Sequence, residues 1–403
     1  MTAKPQATET QKIGRSRGDA FLLGILRNHE PPKLTQKNPS ADIRQMRYML
    51  QSIARKILPK SRVAICSRQP TNSRIGVNYN QCTHDTRYDG LMFCCSVWNC
   101  PVCAARITEQ RRIELEQGLT ALRAGGGDAL MVTVTVRHDK HDCLDKLLSG
   151  IQDTMQRVKR GRSWKLFKTR HGVVGGVYSL EVTYGKTTGW HPHRHELLML
   201  DHIADGEEIE TIQSWLRGRY LKMLAKSDLD ASYGNGLTVE NDTVDTYIAK
   251  FGCEPFWLEG GGFRWTQAHE ITKAPAKVGK HPERMTPFVM LMYAFDDHEE
   301  LTEIGIAWKN YAEVFYGKRQ LTWWRGTKAL LEVDEISDDD IVNDYDDYSV
   351  LGYITWAGWQ QVLRLDVRAE LLNVASSGDI QAIKGWCDAR KIETENWLPN
   401  DWK

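Results

Sequence analysis

Three histidines alternate with other residues in one short stretch of the chain. His191, His193 and His195 lie in GWHPHRHELLML, residues 189–200, which ends in an apolar run. Residues two apart on a β-strand share a face, so a strand here would project the three imidazoles together. Neutral imidazole is the commonest metal ligand in proteins. The pattern therefore predicts a divalent-metal site or, as the alternative, a hydrogen-bonded histidine cluster at the start of a strand.

A carboxylate on the preceding segment can complete such a site. GVVGGVYSLEVTYG, residues 172–185, predicts a strand that turns back into the histidine strand. Alternation places Glu181 on the face opposite to the set that we take as core-packing: Tyr178, Leu180 and Val182. The histidines share the face of Glu181 if the register allows. Two imidazoles and one carboxylate leave open positions on a divalent ion, as a catalytic site requires.

A tyrosine and a lysine follow the histidines on a predicted helix, ENDTVDTYIAKFG, residues 240–252. Tyr247 and Lys250 are three residues apart and therefore share one helical face. A phenolic oxygen can attack phosphorus when a metal and a lysine stabilise the developing charge. These groups together predict a transesterification site. The alternative is a core tyrosine with a solvated lysine beside it.

The nine cysteines form a second group with metal-binding chemistry. Cys100 and Cys103 in CPVC have the spacing of half a zinc site. The other ligands can come from Cys66, Cys82, Cys94 and Cys95, with His84 as a rival. Zinc is favoured over a redox pair because no thioredoxin-like strand precedes CPVC. An odd number of cysteines without an export signal also favours thiols and metal ligands over disulfides.

The net charge of +1 conceals strong local asymmetry. Residues 1–70 hold 14 basic and four acidic side chains, and residues 156–170 hold seven basic and no acidic ones. Residues 332–347 hold nine acidic side chains and no basic one. Basic blocks interleaved with aromatic residues suit a phosphate backbone, although a solvated helix face has the same pattern. The candidate DNA-binding residues of the second block are Arg157, Lys159, Arg160 and Arg162.

Sequence patterns divide the chain into five regions. They are a basic helical N-terminal segment (1–60), a cysteine-rich zinc-binding region (61–127), a domain of strands and helices (128–330), an acidic linker (331–349) and a small helical C-terminal tail (350–403). The order strand, helix, hairpin, helix in the third region predicts an α+β fold with an antiparallel sheet. No apolar run approaches the ~18 residues of a membrane helix, and the polar N-terminus lacks a signal core. We therefore expect a cytoplasmic protein with no membrane contact.

Apolar spacing predicts the main elements. Helices are expected at 41–58, at 104–123 before three glycines, at 154–168 as one basic helix, and at 355–372. ALMVTVTVRH, residues 129–138, alternates threonine with valine and predicts a half-buried strand.

Three motifs in order resemble those of a known family. MVTVTV, then HPHRH, then YIAK are similar in order and spacing to the motifs of plasmid rolling-circle replication initiators in the HUH endonuclease superfamily, single-tyrosine type. The likeness extends to CCSVWNCPVCAARI upstream and KRQLTWWRGTKALL downstream, and it covers roughly residues 61–331. The resemblance implies an HUH endonuclease domain over residues 128–330. It also implies an enzyme that nicks and rejoins origin DNA while its tyrosine stays bound to the 5′ phosphate.

The resemblance also assigns site residues and partners. By motif, the metal pair is His193 and His195, the third ligand is Glu181, the nucleophile is Tyr247 and its helper is Lys250. The implied catalytic metal is Mg²⁺ or Mn²⁺, and His191 is the less expected ligand. Implied partners are origin DNA, single-stranded or hairpin-extruded, and a host helicase.

For the zinc site, the family pattern favours Cys94 over Cys95, because its members tend to have glycine after that cysteine. Cys66 is preferred to Cys82, which sits in a polar stretch. The resulting set for one structural zinc is Cys66, Cys94, Cys100 and Cys103.

Two positions depart from the family pattern. Arg194 stands between the metal histidines, where a bulky apolar residue is usual, which predicts a wet or DNA-contacting sheet face. Thr243 stands where some relatives carry a glutamate that activates water when replication ends. Two other functions remain open: a transposase or mobilisation relaxase with the same chemistry, and a non-catalytic zinc-containing DNA-binding repressor.

Overall fold

The computed structural model describes residues 39–241 and 284–397. The helices are α1 (Pro39–Ile57), α2 (Pro101–Ala124), α3 (Leu144–Val158), α4 (Gly161–Arg170), α5 (Gly206–Leu224), α6 (Pro287–Met292), α7 (Glu303–Val314), α8 (Thr327–Leu330), α9 (Asp338–Val342), α10 (Trp356–Leu365), α11 (Arg368–Ala375) and α12 (Ile380–Asp388). The strands are β1 (Arg74–Tyr79), β2 (Thr86–Tyr88), β3 (Asp128–Thr135), β4 (Val173–Gly185), β5 (Gly189–Leu200), β6 (Leu237–Glu240), β7 (Arg284–Met285), β8 (Thr322–Trp323), β9 (Ser349–Thr355) and β10 (Thr394–Glu395).

The chain divides into two compact units, each built from separate stretches of sequence. Within the described residues, the larger unit holds 39–71, 91–241 and 284–346, and the smaller holds 72–90 and 347–397. The boundaries of these units differ from the predicted domain boundaries. Residues 72–90, inside the predicted cysteine-rich region, belong to the same unit as the C-terminal segment, because β1 pairs with β9. Both units contain antiparallel sheets with helices, so the α+β prediction is confirmed.

A six-stranded antiparallel sheet organises the larger unit. Its order is β6-β3-β5-β4-β7, and β8 also pairs with β4. The long hairpin of β4 and β5 is its centre, as the sequence predicted. Gly189 makes the turn possible: it has a φ of +73°, and a Cβ there would lie 2.6 Å from the Asp139 carbonyl oxygen.

Helices cover both faces of this sheet. On one face α2 packs its leucines against the odd-numbered apolar residues of the hairpin, and the cluster includes Leu115, Leu119, Val177, Leu197 and Met199. On the other face α3 contacts β5, and α5 contacts β6 and α3. Burial on both faces explains why β5 reads as a nearly continuous apolar run after its histidines.

Most predicted helices form, with one correction. Helices α1 and α2 match the predictions, and α2 ends at Gly125 as expected. The basic segment at 154–168 was predicted as one helix and instead forms the end of α3 and the start of α4. The break falls at Lys159 and Arg160, where Arg160 has an extended backbone, and Gly161, with a φ of +80°, begins α4.

The acidic stretch was predicted as a linker, but part of it is ordered. Ser337 and Asp340 form a capping box that starts α9, and Asp338 lies 2.6 Å from the Arg111 guanidinium of α2. Acidic side chains at a helix N-terminus also interact favourably with the helix dipole. These contacts offset the mutual repulsion of the acidic side chains, which was the reason for predicting a linker.

The C-terminal segment was predicted to be helical and contains strands as well. Strand β9 pairs with β1 and β10, and β2 completes a sheet in the order β10-β9-β1-β2. The helical pattern at 355–372 becomes α10 and α11, separated at Asp366, which has a left-handed backbone. Only long-range pairing makes residues 349–355 a strand. Within 39–241 and 284–397, no helix is long and apolar enough to cross a membrane.

Candidate active site

The register of the central hairpin gathers the alternating histidines and the predicted carboxylate. Glu181 pairs with His193, and Ser179 pairs with His195. Directly paired residues point to the same face, so these side chains and His191 form one row. The Oε2 atom of Glu181 lies 2.8 Å from Nε2 of His195, and both residues are under 10% exposed.

A threonine on the neighbouring strand orients His195. Thr133 pairs with His195 across β3 and β5, and its hydroxyl oxygen lies 3.1 Å from Nδ1. The Glu181 carboxylate only accepts, so Nε2–H of His195 donates to it and Nδ1 accepts from the Thr133 hydroxyl. Thr133 was not among the predicted site residues, although its alternation with valine in β3 was visible.

A fourth histidine, which was not among the predicted site residues, joins the row. His138 follows β3, and its Nε2 is in hydrogen-bond contact with Nδ1 of His191. The ring centroids are 4.5 Å apart for His138 and His191, 4.2 Å for His191 and His193, and 5.8 Å for His193 and His195. The position of His138 directly after the MVTVTV motif could have identified it as a candidate.

Burial keeps this end of the row uncharged. It lowers the pKa of His191 to about 2, with further lowering by His193, Arg284 and His138. Burial also lowers the pKa of His138. Neutral imidazole is the form that ligates metals.

The face that carries these residues is more buried than predicted. Glu181 does point away from Leu180 and Val182, but its own face is covered further along the hairpin by α2. Leu180 and Val182 are buried as predicted, and the face opposite to them is buried as well. Because helices cover both sides of the sheet, the site lies at the end of a buried face, where a cation would be partly shielded from water.

Arg194 also differs from expectation, because it is buried on the opposite face. It is 3% exposed, lies 3.1 Å from Glu196, and places its guanidinium over the Tyr178 ring at 3.4 Å. Glu196 in addition accepts hydrogen bonds from Lys159 at 2.5 Å and from Trp324 at 2.6 Å. The expected wet or DNA-contacting face is therefore a closed ionic network.

Lys159, one of the predicted DNA-binding residues, belongs to that network. Burial lowers the pKa of Lys159 to about 8, although Glu196 opposes the shift. Burial alone would raise the pKa of Glu196, but Arg194 and Lys159 lower it below its usual range. Lys159 thus faces inward, and its position argues against the predicted contact with DNA.

The other predicted DNA-binding residues line or border an open basic cavity of about 540 Å³. Its lining includes Arg157 and Arg160 at the end of α3, joined by Arg219 and Lys226 from the region of α5. Arg162 is exposed nearby on α4. Arg219 donates to the Val158 and Arg160 carbonyl oxygens at 2.8 Å and so ties the two sides together. Arg219 and Lys226 were missed because they lie far along the sequence from the basic block.

The structure brings the four predicted cysteines together in one buried cluster. The sulfur atoms of Cys66, Cys94, Cys100 and Cys103 all lie within 4.8 Å of one another, with close pairs at 3.5–3.7 Å. A tetrahedron with metal–sulfur bonds of about 2.3 Å has edges of about 3.8 Å. The cluster can therefore hold a metal such as zinc.

Nearby groups favour a thiolate at Cys100, whereas hydrogen bonds to Cys100 raise the pKa values of the Cys94 and Cys103 thiols. Cys100 and Cys103 lie at the N-terminus of α2, whose dipole stabilises negative charge. Gln51 of α1 donates to the Cys100 sulfur at 3.3 Å. Burial alone would raise the pKa of Cys100, but hydrogen bonds from the other three cysteines lower it well below its usual value.

Comparisons with known proteins show what the chain is similar to. Residues 90–204 match the replication protein family, and this range includes CPVC, β3 and the hairpin. The chain is also 26% identical to the protein rep of Streptomyces lividans, over 72% of this chain and 76% of that protein. It is 29% identical to a Streptomyces cyanogenus protein named as a neomycin resistance protein, over 29% of this chain and 32% of that protein.

No solved structure matches the chain. The family match and the Streptomyces lividans relative support a plasmid replication initiator. The predicted nucleophile Tyr247 and its helper Lys250 lie outside the described residues, as does Thr243.

Proposed function

We propose that this chain initiates rolling-circle plasmid replication by nicking and rejoining origin DNA through Tyr247. The single observation that carries the proposal is the convergence of Glu181, His193 and His195 on one sheet face, inside the range that matches the replication protein family. The Oε2 atom of Glu181 lies 2.8 Å from Nε2 of His195, and Thr133 contacts the other ring nitrogen.

Carboxylate and imidazole groups are ligands of Mg²⁺ and Mn²⁺, and we propose that Glu181, His193 and His195 hold the ion. Among the described residues only the cysteine cluster brings its ligand atoms within 4.8 Å of one another, so these three side chains would have to move closer together to bind it. A divalent cation there would polarise the scissile phosphate and stabilise charge on it. Thr133 contacts Nδ1 of His195, so Nε2 could ligate the ion once it gives up its hydrogen bond to Glu181. The surrounding helices limit access of water, which strengthens electrostatic interactions at the site.

The proposed reaction is a transesterification. The phenolic oxygen of Tyr247 attacks phosphorus, the bond to the 3′ oxygen breaks, and the 3′ hydroxyl takes up the proton. Lys250, one helical turn from Tyr247 in sequence, stabilises the negative charge of the phenolate or of the transition state. A phosphotyrosine bond conserves the phosphodiester energy, so a 3′ hydroxyl can reverse the step and rejoin the strand without a nucleotide cofactor.

Two further parts of the proposal are structural. We propose that Cys66, Cys94, Cys100 and Cys103 hold one structural zinc, and that the basic cavity binds the backbone of origin DNA. The proposed zinc ligands lie in the segments between α1 and α2 and at the N-terminus of α2.

Tyr247→Phe tests the reaction because it removes only the attacking oxygen. Incubation with single-stranded origin DNA and Mn²⁺ should give a covalent protein–DNA adduct with the unaltered chain and none with Tyr247→Phe. The matched control is Tyr184→Phe, on β4. An adduct that peptide mapping assigns to Tyr184, or any adduct with Tyr247→Phe, would refute the assignment.

A second variant separates chemistry from DNA binding. His193→Ala with His195→Ala should lose nicking and keep origin binding. A repressor without catalytic activity would instead form no adduct in the unaltered chain.

A further inference from the structure

The loop of residues 228–236, which precedes β6, is fixed to the chain segment beside the histidine row. The backbone N–H of Thr135, at the end of β3, donates to the Gly236 carbonyl oxygen at 3.1 Å. The N–H of Arg137 donates to the Asp230 carbonyl oxygen at 2.8 Å. Thr135 is also the cross-strand partner of His193. The loop and the row therefore lie at the same end of the sheet.

The sheet order gives the distance between this loop and the row. Strands β6, β3 and β5 are successive neighbours. Neighbouring strands lie about 4.8 Å apart, so about 10 Å separate the backbones of β6 and β5. About three stacked nucleotides, at about 3.4 Å each, span that distance. DNA with its scissile phosphate at the row therefore reaches this loop within a few nucleotides of the nick.

The loop exposes an aromatic side chain whose position is fixed. Tyr233 is 68% exposed. The guanidinium of Arg217, on α5, lies over its ring at 5.3 Å from the ring centroid. Arg217 is itself held, because its Nε donates to the Leu237 carbonyl oxygen at 3.0 Å. A ring held in this way loses little rotamer freedom when a ligand contacts it.

Positive charge accompanies this ring. Besides Arg217, the loop contacts the segment that carries Arg137, whose guanidinium lies 3.3 Å from the Asp230 carboxylate. Both of these side chains are 65% exposed, and an exposed ion pair contributes little to stability, so Arg137 is able to exchange it for a phosphate. Aromatic rings for bases, beside cations for the backbone, are how proteins bind single-stranded nucleic acid.

We infer that Tyr233 stacks against a base of single-stranded origin DNA beside the nick, and that Arg217 is the positioning residue that holds its ring. The inference rests on the proposed function, because it takes the row of Glu181, His193 and His195 as the place of the scissile phosphate. Bases in a duplex are stacked on one another and offer no free face. The contact therefore selects single-stranded over duplex origin DNA.

The test compares dissociation constants for single-stranded and duplex origin oligonucleotides, measured by fluorescence anisotropy without added divalent metal so that no adduct forms. Tyr233→Ala should weaken single-strand binding by about 5–150-fold, the range for loss of one base–aromatic stack, and leave duplex binding unchanged. Tyr233→Phe keeps the ring and should bind like the unaltered chain. Tyr316→Ala is the matched control, because Tyr316 is an 81% exposed tyrosine beyond α7, and it should change nothing.

A crosslink in the unaltered chain decides the inference even if a variant folds poorly. Iodouracil placed at each position near the nick and irradiated should join the DNA to the peptide that contains Tyr233. Crosslinks that all miss this peptide would overturn the inference. So would equal single-strand affinity in Tyr233→Ala and the unaltered chain, a loss in Tyr233→Phe as large as in Tyr233→Ala, or a parallel loss of duplex binding.

Adduct formation with Mn²⁺ at saturating DNA tests the proposed function separately. The adduct should form in both the unaltered chain and Tyr233→Ala, since the attacking oxygen belongs to Tyr247. An adduct together with unchanged single-strand affinity in Tyr233→Ala refutes only the inference. The absence of any adduct in the unaltered chain refutes the proposed function.

Discussion

His195 shows how the candidate site is organised at the scale of single residues. One ring nitrogen contacts the Thr133 hydroxyl and the other faces the Glu181 carboxylate, so the ring is held on both sides. A residue held in this way offers a metal a ligand whose orientation is already fixed, which reduces the entropy lost on binding. Thr133 contacts His195 and His138 contacts His191, so both are neighbours of the histidine row.

The cysteine cluster gives a prediction at the same scale. Cys100→Ser removes one of four sulfur ligands from a buried group, so the bound metal should be lost. Metal analysis of the purified chain should give about one zinc per molecule, against almost none in Cys100→Ser. Cys143→Ser, an exposed thiol outside the cluster, is the control. Unaltered protein that contains no zinc when purified without chelators would contradict the zinc proposal.

At the scale of elements, Trp323 of β8 and its neighbour Trp324 donate hydrogen bonds to buried carboxylates on opposite faces of the sheet. Trp323 donates to Glu114 of α2 at 2.7 Å, and Trp324 donates to Glu196 of β5 at 2.6 Å. Successive residues of a strand point to opposite sides, so one short segment reaches both faces. The downstream motif KRQLTWWRGTKALL therefore has a structural role, and Lys328 from the same motif lies 2.9 Å from Glu114.

The pair of Lys159 and Glu196 predicts a pH dependence of stability. Folded Lys159 loses its proton near pH 8, whereas a lysine in the unfolded chain keeps it to about pH 10.5. The unfolded state binds more protons between these values, so this group makes the free energy of unfolding rise with pH there. Urea unfolding at pH 7.5 and 9.5 should show that rise in the unaltered chain and less of it in Lys159→Met. Lys165→Met, an exposed site on α4, should behave like the unaltered chain, and equal slopes in all three would contradict the argument.

The basic cavity between the end of α3 and α5 gives a prediction about DNA binding. Neutralising Arg157, Arg160 and Arg162 to glutamine should flatten the slope of log affinity against log salt, by about 0.7–0.9 for each phosphate that is no longer neutralised. Lys159→Met is the matched control, because that ammonium group is already paired with Glu196. A slope that stays unchanged in the triple variant would mean that these arginines form only a solvated helix face.

At the scale of the whole molecule, the smaller unit depends on segments more than 250 residues apart. Strand β1 pairs with β9 over six positions, and Ile75 and Val77 are fully buried. Tyr88 donates to the Arg368 carbonyl oxygen at 2.8 Å. The C-terminal segment is thus part of a folded unit that begins inside the predicted cysteine-rich region.

Truncation tests this dependence. Deletion of residues 347–403 removes the partner of β1 and exposes its apolar side chains, so residues 72–90 should become sensitive to proteolysis. The cysteine cluster should keep its metal, since all four ligands and Gln51 belong to the larger unit. Protection of residues 72–90 in the truncated protein would contradict the prediction, and the full chain is the control.

The sequence by itself determined the features that depend on local spacing. Alternation fixed the shared face of His191, His193 and His195, and helical spacing fixed α1 and α2. Motif spacing, together with the family resemblance, selected the four cysteines that cluster. These features follow from the periods of strand and helix, which are set within a few residues.

Only the tertiary structure decided the features that depend on distant segments. The register of β4 against β5 decided that Glu181 meets His195, and packing on both faces decided that Arg194 and Lys159 are buried rather than free for DNA. The contact of His138 with His191 and the pairing of β9 with β1 also depend on distant segments. The physical reason is that strand pairing and burial are determined by partners far along the chain, which local patterns do not identify.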